Sequence, residues 1–257
     1  MIKILLPIVL MAGSIALSAQ MPASDSLWAS ATDARDAGDY VSALSLLNQA
    51  LQLADDDAPL YNSRGKTYFD MALSGRYQND ADTLLEYAFQ DYSRTIDLHP
   101  ADTLIAEALI NRGAVWGVRA ALDNALTDLN EGIRLDPSNP NGYFNRSIVY
   151  MNRQQYDSVI ADFDQYLQLR PKDDRIIYER GMLNRSLGRN DEAISDLDRA
   201  IALNPEKGFY YLERGRAYAQ KGKIKKARAD YAEAEKRGQR LTDLDRGLLL
   251  PAPKKRH

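Results

Sequence analysis

Cysteine is missing from the chain, and histidine occurs only twice, at His99 and His257. The first absence excludes disulfides, thiolate metal sites, a cysteine nucleophile and a lipid-modified N-terminal cysteine. The second leaves no histidine-rich metal or catalytic cluster. Phosphate-binding glycine loops and serine-nucleophile turns are lacking too, so the chain reads as non-enzymatic, with no cofactor and no metal expected. Asp55–Asp57 does not have the spaced oxygen ligands of a calcium loop and reads as a turn. Beyond the first twenty residues no apolar run is long enough to cross a bilayer. What remains is a 257-residue chain with 45% hydrophobic and 27% charged residues and a net charge of −3. That is a globular balance, too apolar for a disordered chain.

The N-terminus stands apart. In "MIKILLPIVLMAGSIALSAQ" a lysine precedes an apolar run from Ile4 to Leu17, and small residues follow at Ser18 and Ala19. This is the pattern of a secretory signal peptide over residues 1–19, cleaved after Ala19. The alternative is an uncleaved anchor, for which a run interrupted by Pro7 and Gly13 is short. Export places the mature chain in a bacterial periplasm or outside the cell.

The rest of the chain repeats. With Ala31, Gly65, Gly113, Ser147, Gly181 and Gly215 as markers, four of the five intervals are 34 residues. Twelve positions after the marker comes a small or apolar residue (Ala43, Ala125, Val159, Ala193, Ala227). Twenty-four positions after it comes Pro137, Pro171 or Pro205, in strings such as "AISDLDRAIALNP" and "VIADFDQYLQLRP". Tyr68, Trp116, Tyr150 and Tyr218 recur three residues after the marker and read as core.

The pattern resembles the tetratricopeptide repeat, with two antiparallel helices per unit, small residues at their crossing and a proline ending the second helix. The resemblance implies an all-α fold, a right-handed superhelical solenoid of about six hairpins. Units are expected near 24–57, 58–102, 106–139, 140–173, 174–207 and 208–241, within a repeat domain over 20–240. Residues 241–257 read as a partial cap, through Leu241, Leu244, Leu248 and Leu249, followed by a basic tail. One hairpin cannot bury its apolar faces alone, so neighbours must stack. The second unit carries eleven extra residues near "ALSGRYQNDAD", and three more lie around Thr103–Ile105. Such an insertion is either a rim loop that carries contacts or a tolerated surface loop.

An arginine precedes most markers, and an aspartate follows it sixteen residues later once the insertion is allowed for. The pairs are Arg64 with Asp91, Arg112 with Asp128, Arg146 with Asp162, Arg180 with Asp196, and Arg214 with Asp230. The first unit has Ser30 and Leu46 there and lacks both members. Pairing within each hairpin strands no charge, and the fork geometry of a guanidinium suits a carboxylate. The row is therefore expected to be structural.

In the family that the chain resembles, the first helix of each unit lines an inner groove where partners dock. On that face Phe144, Ile148, Met151, Tyr178 and Met182 make an apolar stretch, with Asn145, Asn152 and Arg185 beside it. This suits a protein or peptide partner, an apolar segment with a few polar anchors; the alternative is burial against the next unit. Charge is unevenly spread, with 14 Asp/Glu against 5 Lys/Arg in 24–105 and 14 Lys/Arg against 6 Asp/Glu in 208–257. Self-association through these ends is open, whereas nucleic acid is not an expected partner. Two functions follow. One is a non-catalytic scaffold or adaptor of the cell envelope that binds a peptide or helix in its groove. The other is a structural subunit of an envelope assembly, held by its ends and insertion loop.

Overall fold

The computed structural model describes residues 22–249, and the leader expected over 1–19 lies outside them. Among the described residues, helices follow one another in pairs. These are α1 (Ala23–Asp36) with α2 (Tyr40–Leu53), α3 (Ala58–Leu73) with α4 (Ala81–Asp97), and α5 (Asp102–Val118) with α6 (Leu122–Leu135). Then come α7 (Pro140–Asn152) with α8 (Tyr156–Leu169), α9 (Asp174–Ser186) with α10 (Asn190–Leu203), and α11 (Gly208–Gln220) with α12 (Ile224–Lys236). A short α13 (Asp243–Leu249) closes the series. No helix among the described residues is long and apolar enough to cross a membrane.

Each hairpin is punctuated by its own sequence. Asp57, Asn139 and Asp173 cap α3, α7 and α9 by accepting backbone N–H groups with their side chains, which satisfies donors the helix cannot. Pro137, Pro171 and Pro205 stand just beyond the second helices and prevent their continuation. The turn between the two helices needs a left-handed residue seven positions after the marker. Gly38, Gly188 and Gly222 supply it with φ near +70° to +77°, while Ala120 and Gln154 adopt φ 58° in the third and fourth hairpins.

The two helices of a hairpin approach closely at the marker. A Cβ on Gly215 would stand 2.7 Å from the Tyr231 ring, and one on Gly113 2.7 Å from Leu129. The crossing residues Ala43, Ala125, Val159, Ala193 and Ala227 are fully buried. Leu60, Ile176 and Tyr210, five residues before their markers, are buried in clusters with residues of the hairpin before. The chain therefore has a continuous core made of repeated contacts. Tyr68, Trp116, Tyr150 and Tyr218, expected in the core, are only half-buried and pack along its edge.

The insertion in the second unit is shared between the helices and the loop that joins them, which has seven residues where the other hairpins have three. It lengthens α3 to 16 residues and α4 to 17, joined by residues 74–80 with one 3₁₀ turn at Gln78–Asp80. Thr103–Ile105 likewise join the first turns of α5, which begins at Asp102 rather than at 106. Helices α3 and α5 thus outrun their counterparts of 13 or 14 residues. At the C-terminal end Leu241 is buried but Leu244 is 82% exposed. Beside Leu241, which packs on Tyr211 and Tyr231, the cap is polar: Asp245 accepts from Arg216 Nε and Nη2 at 3.1 and 2.7 Å.

Candidate functional site

The five arginine–aspartate pairs are all made within their own hairpins. Arg64 Nη2 lies 2.7 Å from Asp91, Arg112 Nε 2.8 Å from Asp128, and Arg146 Nη2 2.6 Å from Asp162. Arg180 Nη2 lies 2.5 Å from Asp196 and Arg214 Nη2 2.6 Å from Asp230. In each case Nε reaches the same carboxylate, so the contact is a two-pronged fork. The aspartates are buried and the arginines mostly so. Burial pushes the Asp91 and Asp162 carboxyls up, and the guanidinium beside each opposes that shift.

A second contact was not foreseen from the spacing of the pairs. The remaining Nη1 of each arginine crosses to the second helix of the preceding hairpin. It meets Asn48, Ser93, Asn130, Asp164 and Asp198 in turn. Four of these acceptors stand sixteen residues before their arginine, the mirror of the aspartate spacing. Every arginine therefore closes its own hairpin and ties it to the one before. This row is occupied by the protein's own groups and leaves little for a ligand.

The inner face carries a concave pocket of about 560 Å3 between α3, α5 and α7. Phe69 and Leu73 come from α3, and Asn111, Ala114, Gly117 and Val118 from α5. Phe144, Asn145, Ile148, Val149 and Asn152 come from α7. None of the eleven is charged, in a chain where 27% of residues are. Leu73, Val118, Ile148 and the neighbouring Met151 are 55, 49, 45 and 39% exposed, a concentration of apolar surface facing water. Leu73 belongs to the last three residues by which α3 outruns the other first helices, whereas Val118 ends α5 five residues after its marker, the place at which α7 ends with Asn152.

Of the eight groove residues expected from the sequence, Phe144, Asn145, Ile148 and Asn152 converge in this pocket. Met151, Tyr178, Met182 and Arg185 lie outside its lining. Phe144 lines this pocket and Tyr178 does not, and aromatic neighbours engage the Tyr178 ring. Phe209 stands 5.0 Å away edge-on and Tyr210 5.2 Å away, and burial pushes the Tyr178 hydroxyl up to about 12. The guanidinium of Arg175 sits 5.2 Å over the Phe144 ring. Arg185 is structural: its Nε donates to Glu213 at 2.8 Å, and Glu213 also accepts from Arg216. Arg185 and Arg216 border a shallower hollow of about 540 Å3 beside α13. Leu73 was missed because it lies beyond the shared register, at the end of an overlong helix; Val118 lies within the register, and its signal was an apolar residue where other units have Asp36, Asn152, Ser186 and Gln220.

Comparison with known proteins fits this architecture. Two tetratricopeptide-repeat profiles match residues 146–208 and 178–240. No curated protein matches the chain. Among solved structures, YrrB, a tetratricopeptide-repeat protein with an unusual peptide-binding site, is 19% identical with a TM-score of 0.58. That match covers 79% of this chain and 94% of YrrB. PilW, a type IV pilus biogenesis factor, is 14% identical with a TM-score of 0.66, over 88% of this chain and 98% of PilW. The C-terminal part of a repeat protein from Cytophaga hutchinsonii is 17% identical with a TM-score of 0.65, over 82% of this chain and 78% of that one. The earlier hairpins repeat the helix pairing and marker contacts of residues 146–240, which match the tetratricopeptide-repeat profiles, and the described residues as a whole have the fold of a tetratricopeptide-repeat solenoid.

Proposed function

We propose that the chain is a non-catalytic scaffold of the bacterial cell envelope that takes an apolar peptide or helix in its inner groove, seated on α3, α5 and α7. Proteins of this fold generally serve protein–protein interaction, and YrrB shows that the fold can carry a peptide site. The observation that carries the reading is the uncharged pocket with its exposed apolar rim. A partner covering that rim gains about 25 cal/mol for each Å2 of apolar surface taken from water. Ordering costs offset much of this, so micromolar affinity is expected. Asn111, Asn145 and Asn152 offer amide groups to a partner's main chain without demanding a charge on it. The envelope assignment rests on the leader-like segment over 1–19.

The test is affinity capture from an envelope fraction with the native chain and with Ile148→Asp. A partner retained by the first and lost by the second supports the groove. Equal capture moves the binding surface elsewhere, to the ends of the solenoid or the lengthened second hairpin. Recovery of the chain with an intact leader in the cytoplasm would refute the envelope assignment.

A further inference from the structure

One hairpin beyond the uncharged pocket, the inner face carries a carboxylate without a counter-ion. Asn111, Asn145 and Glu179 hold one register place, two residues before their markers, on the successive first helices α5, α7 and α9. Both asparagines line the pocket. Glu213 holds the same place on α11, where Arg185 and Arg216 pair with it. Glu179 is half-buried and makes no ion pair and no side-chain hydrogen bond among the described residues. Arg175, one turn earlier on α9, lies over the Phe144 ring instead. Other cations of the inner face are taken, Lys66 by Glu107 and Arg185 by Glu213. On the far side of the pocket α3 belongs to residues 24–105, whose charge balance is −9. An apolar site set between acidic groups selects an apolar segment with cations beside it.

The chain holds a segment of that chemistry. Leu244 of α13 is 82% exposed, and the sequence runs on as "LLLPAPKKR" over 248–256. From Arg246 to His257 there are four Lys/Arg and no Asp/Glu. Lys254 stands four residues after Leu250, a reach of at most about 14 Å. Helices packed side by side lie about 8–10 Å apart, so a leucine seated against α7 brings Lys254 opposite α9 and Glu179. The segment does not serve the groove of its own chain. Leu250 adjoins α13, which packs on α12 and is held by Arg216 of α11, and α9 and α11 stand between it and the pocket. The leucines therefore come from a second copy.

We propose that residues 248–256 of one copy dock in the α3–α5–α7 pocket of a second copy. The leucines cover the exposed apolar rim of Leu73, Val118 and Ile148, and the Lys254–Lys255 pair lies opposite Glu179. The inference rests on the groove reading and names what fills the groove when copies meet, in competition with any other apolar partner. Two unlike surfaces join, so the contact is heterologous and assembles more than two copies unless it closes into a ring.

The experiment pairs sedimentation velocity of the purified chain with fluorescence anisotropy of a labelled peptide of residues 247–257. Concentration-dependent association is expected, and the peptide both binds the chain and suppresses that association. Ile148→Asp weakens peptide binding about tenfold or more, since a charge then enters an apolar contact. Glu179→Lys weakens it about fivefold or more. A peptide carrying Leu249→Asp and Leu250→Asp does not bind, and changes in the peptide leave the protein's own fold untouched. A peptide carrying Lys254→Glu and Lys255→Glu binds Glu179→Lys better than it binds the native chain. A peptide that does not bind overturns the proposal, as does binding indifferent to Ile148→Asp or to the charge exchange. A chain that stays monomeric at every concentration refutes docking between copies. An envelope protein captured through Ile148 while the peptide fails to bind keeps the groove reading and overturns this inference alone.

Discussion

Arg180 holds both oxygens of Asp196 with Nε and Nη2, and turns its remaining Nη1 to Asp164 in the hairpin before, at 2.5 Å. One side chain thus makes a contact within its repeat and a contact between repeats. Removing it leaves Asp196, with an 8% exposed side chain, without its counter-ion. Arg180→Ala is expected to cost about 3–5 kcal/mol, read by thermal or urea unfolding. Arg185→Ala should cost less, because Glu213 keeps Arg216 as a partner. A reversed order would show that the arginine row is not the main polar stabiliser.

Register was the part of this molecule most legible beforehand. A 34-residue period fixes which residues face one another, so the aspartate opposite each arginine followed from counting. The period does not say whether extra residues coil or continue a helix, and the insertion after Gly65 went partly into longer helices and partly into the longer connection at 74–80. It is equally silent on competition within one face. Tyr178 and Phe144 stand in the same row, but Phe209 and Tyr210 engage the Tyr178 ring while Phe144 lines the pocket.

Ile148 gives the cleanest probe of the groove. It is 45% exposed and leaves no large cavity when changed, whereas Phe144 packs against the core around Val159 and Phe163. Ile148→Asp should weaken partner capture tenfold or more, because a charge must then be buried in an apolar contact. Its circular dichroism and melting curve should stay close to those of the native chain. A large fall in melting temperature would assign Ile148 to the core.

Ala120 and Gln154 pay for a conformation that Gly38, Gly188 and Gly222 adopt freely. Both are exposed, so nothing packed is lost on replacement. Ala120→Gly and Gln154→Gly are each expected to stabilise the chain by about 0.5–1 kcal/mol, with glycine's greater freedom when unfolded offsetting part of the gain. A melting temperature that falls in both variants would contradict the φ values.

Docking of α13 should depend on pH. Burial opposes ionisation of Asp245, but hydrogen bonds from Arg216 and Thr242 outweigh it and hold the carboxyl down at about 2, against an ordinary value of 3.8. A folded value below the unfolded one means stability that is present above about pH 4 and lost as pH falls towards 2. Amide exchange in α13 should therefore quicken over that window, ahead of exchange in α11. In Asp245→Asn the window should disappear; if it persists, another group controls the cap.

The fifth and sixth hairpins share one register, and from this follows a rule for changing the length of the chain. Excising residues 181–214 would join Arg180 directly to Gly215 and fuse two hairpins into one. Arg180 would then stand sixteen residues before Asp230 while keeping Asp164 behind it, and Lys221 would replace Arg189 as the partner of Asp157. The same cut between Gly65 and Gly113 fails, because α3, α4 and α5 have grown to fit one another. The molecule therefore has an extensible half, open to gain or loss by whole-repeat duplication, and a fixed half that holds the pocket and must be inherited intact.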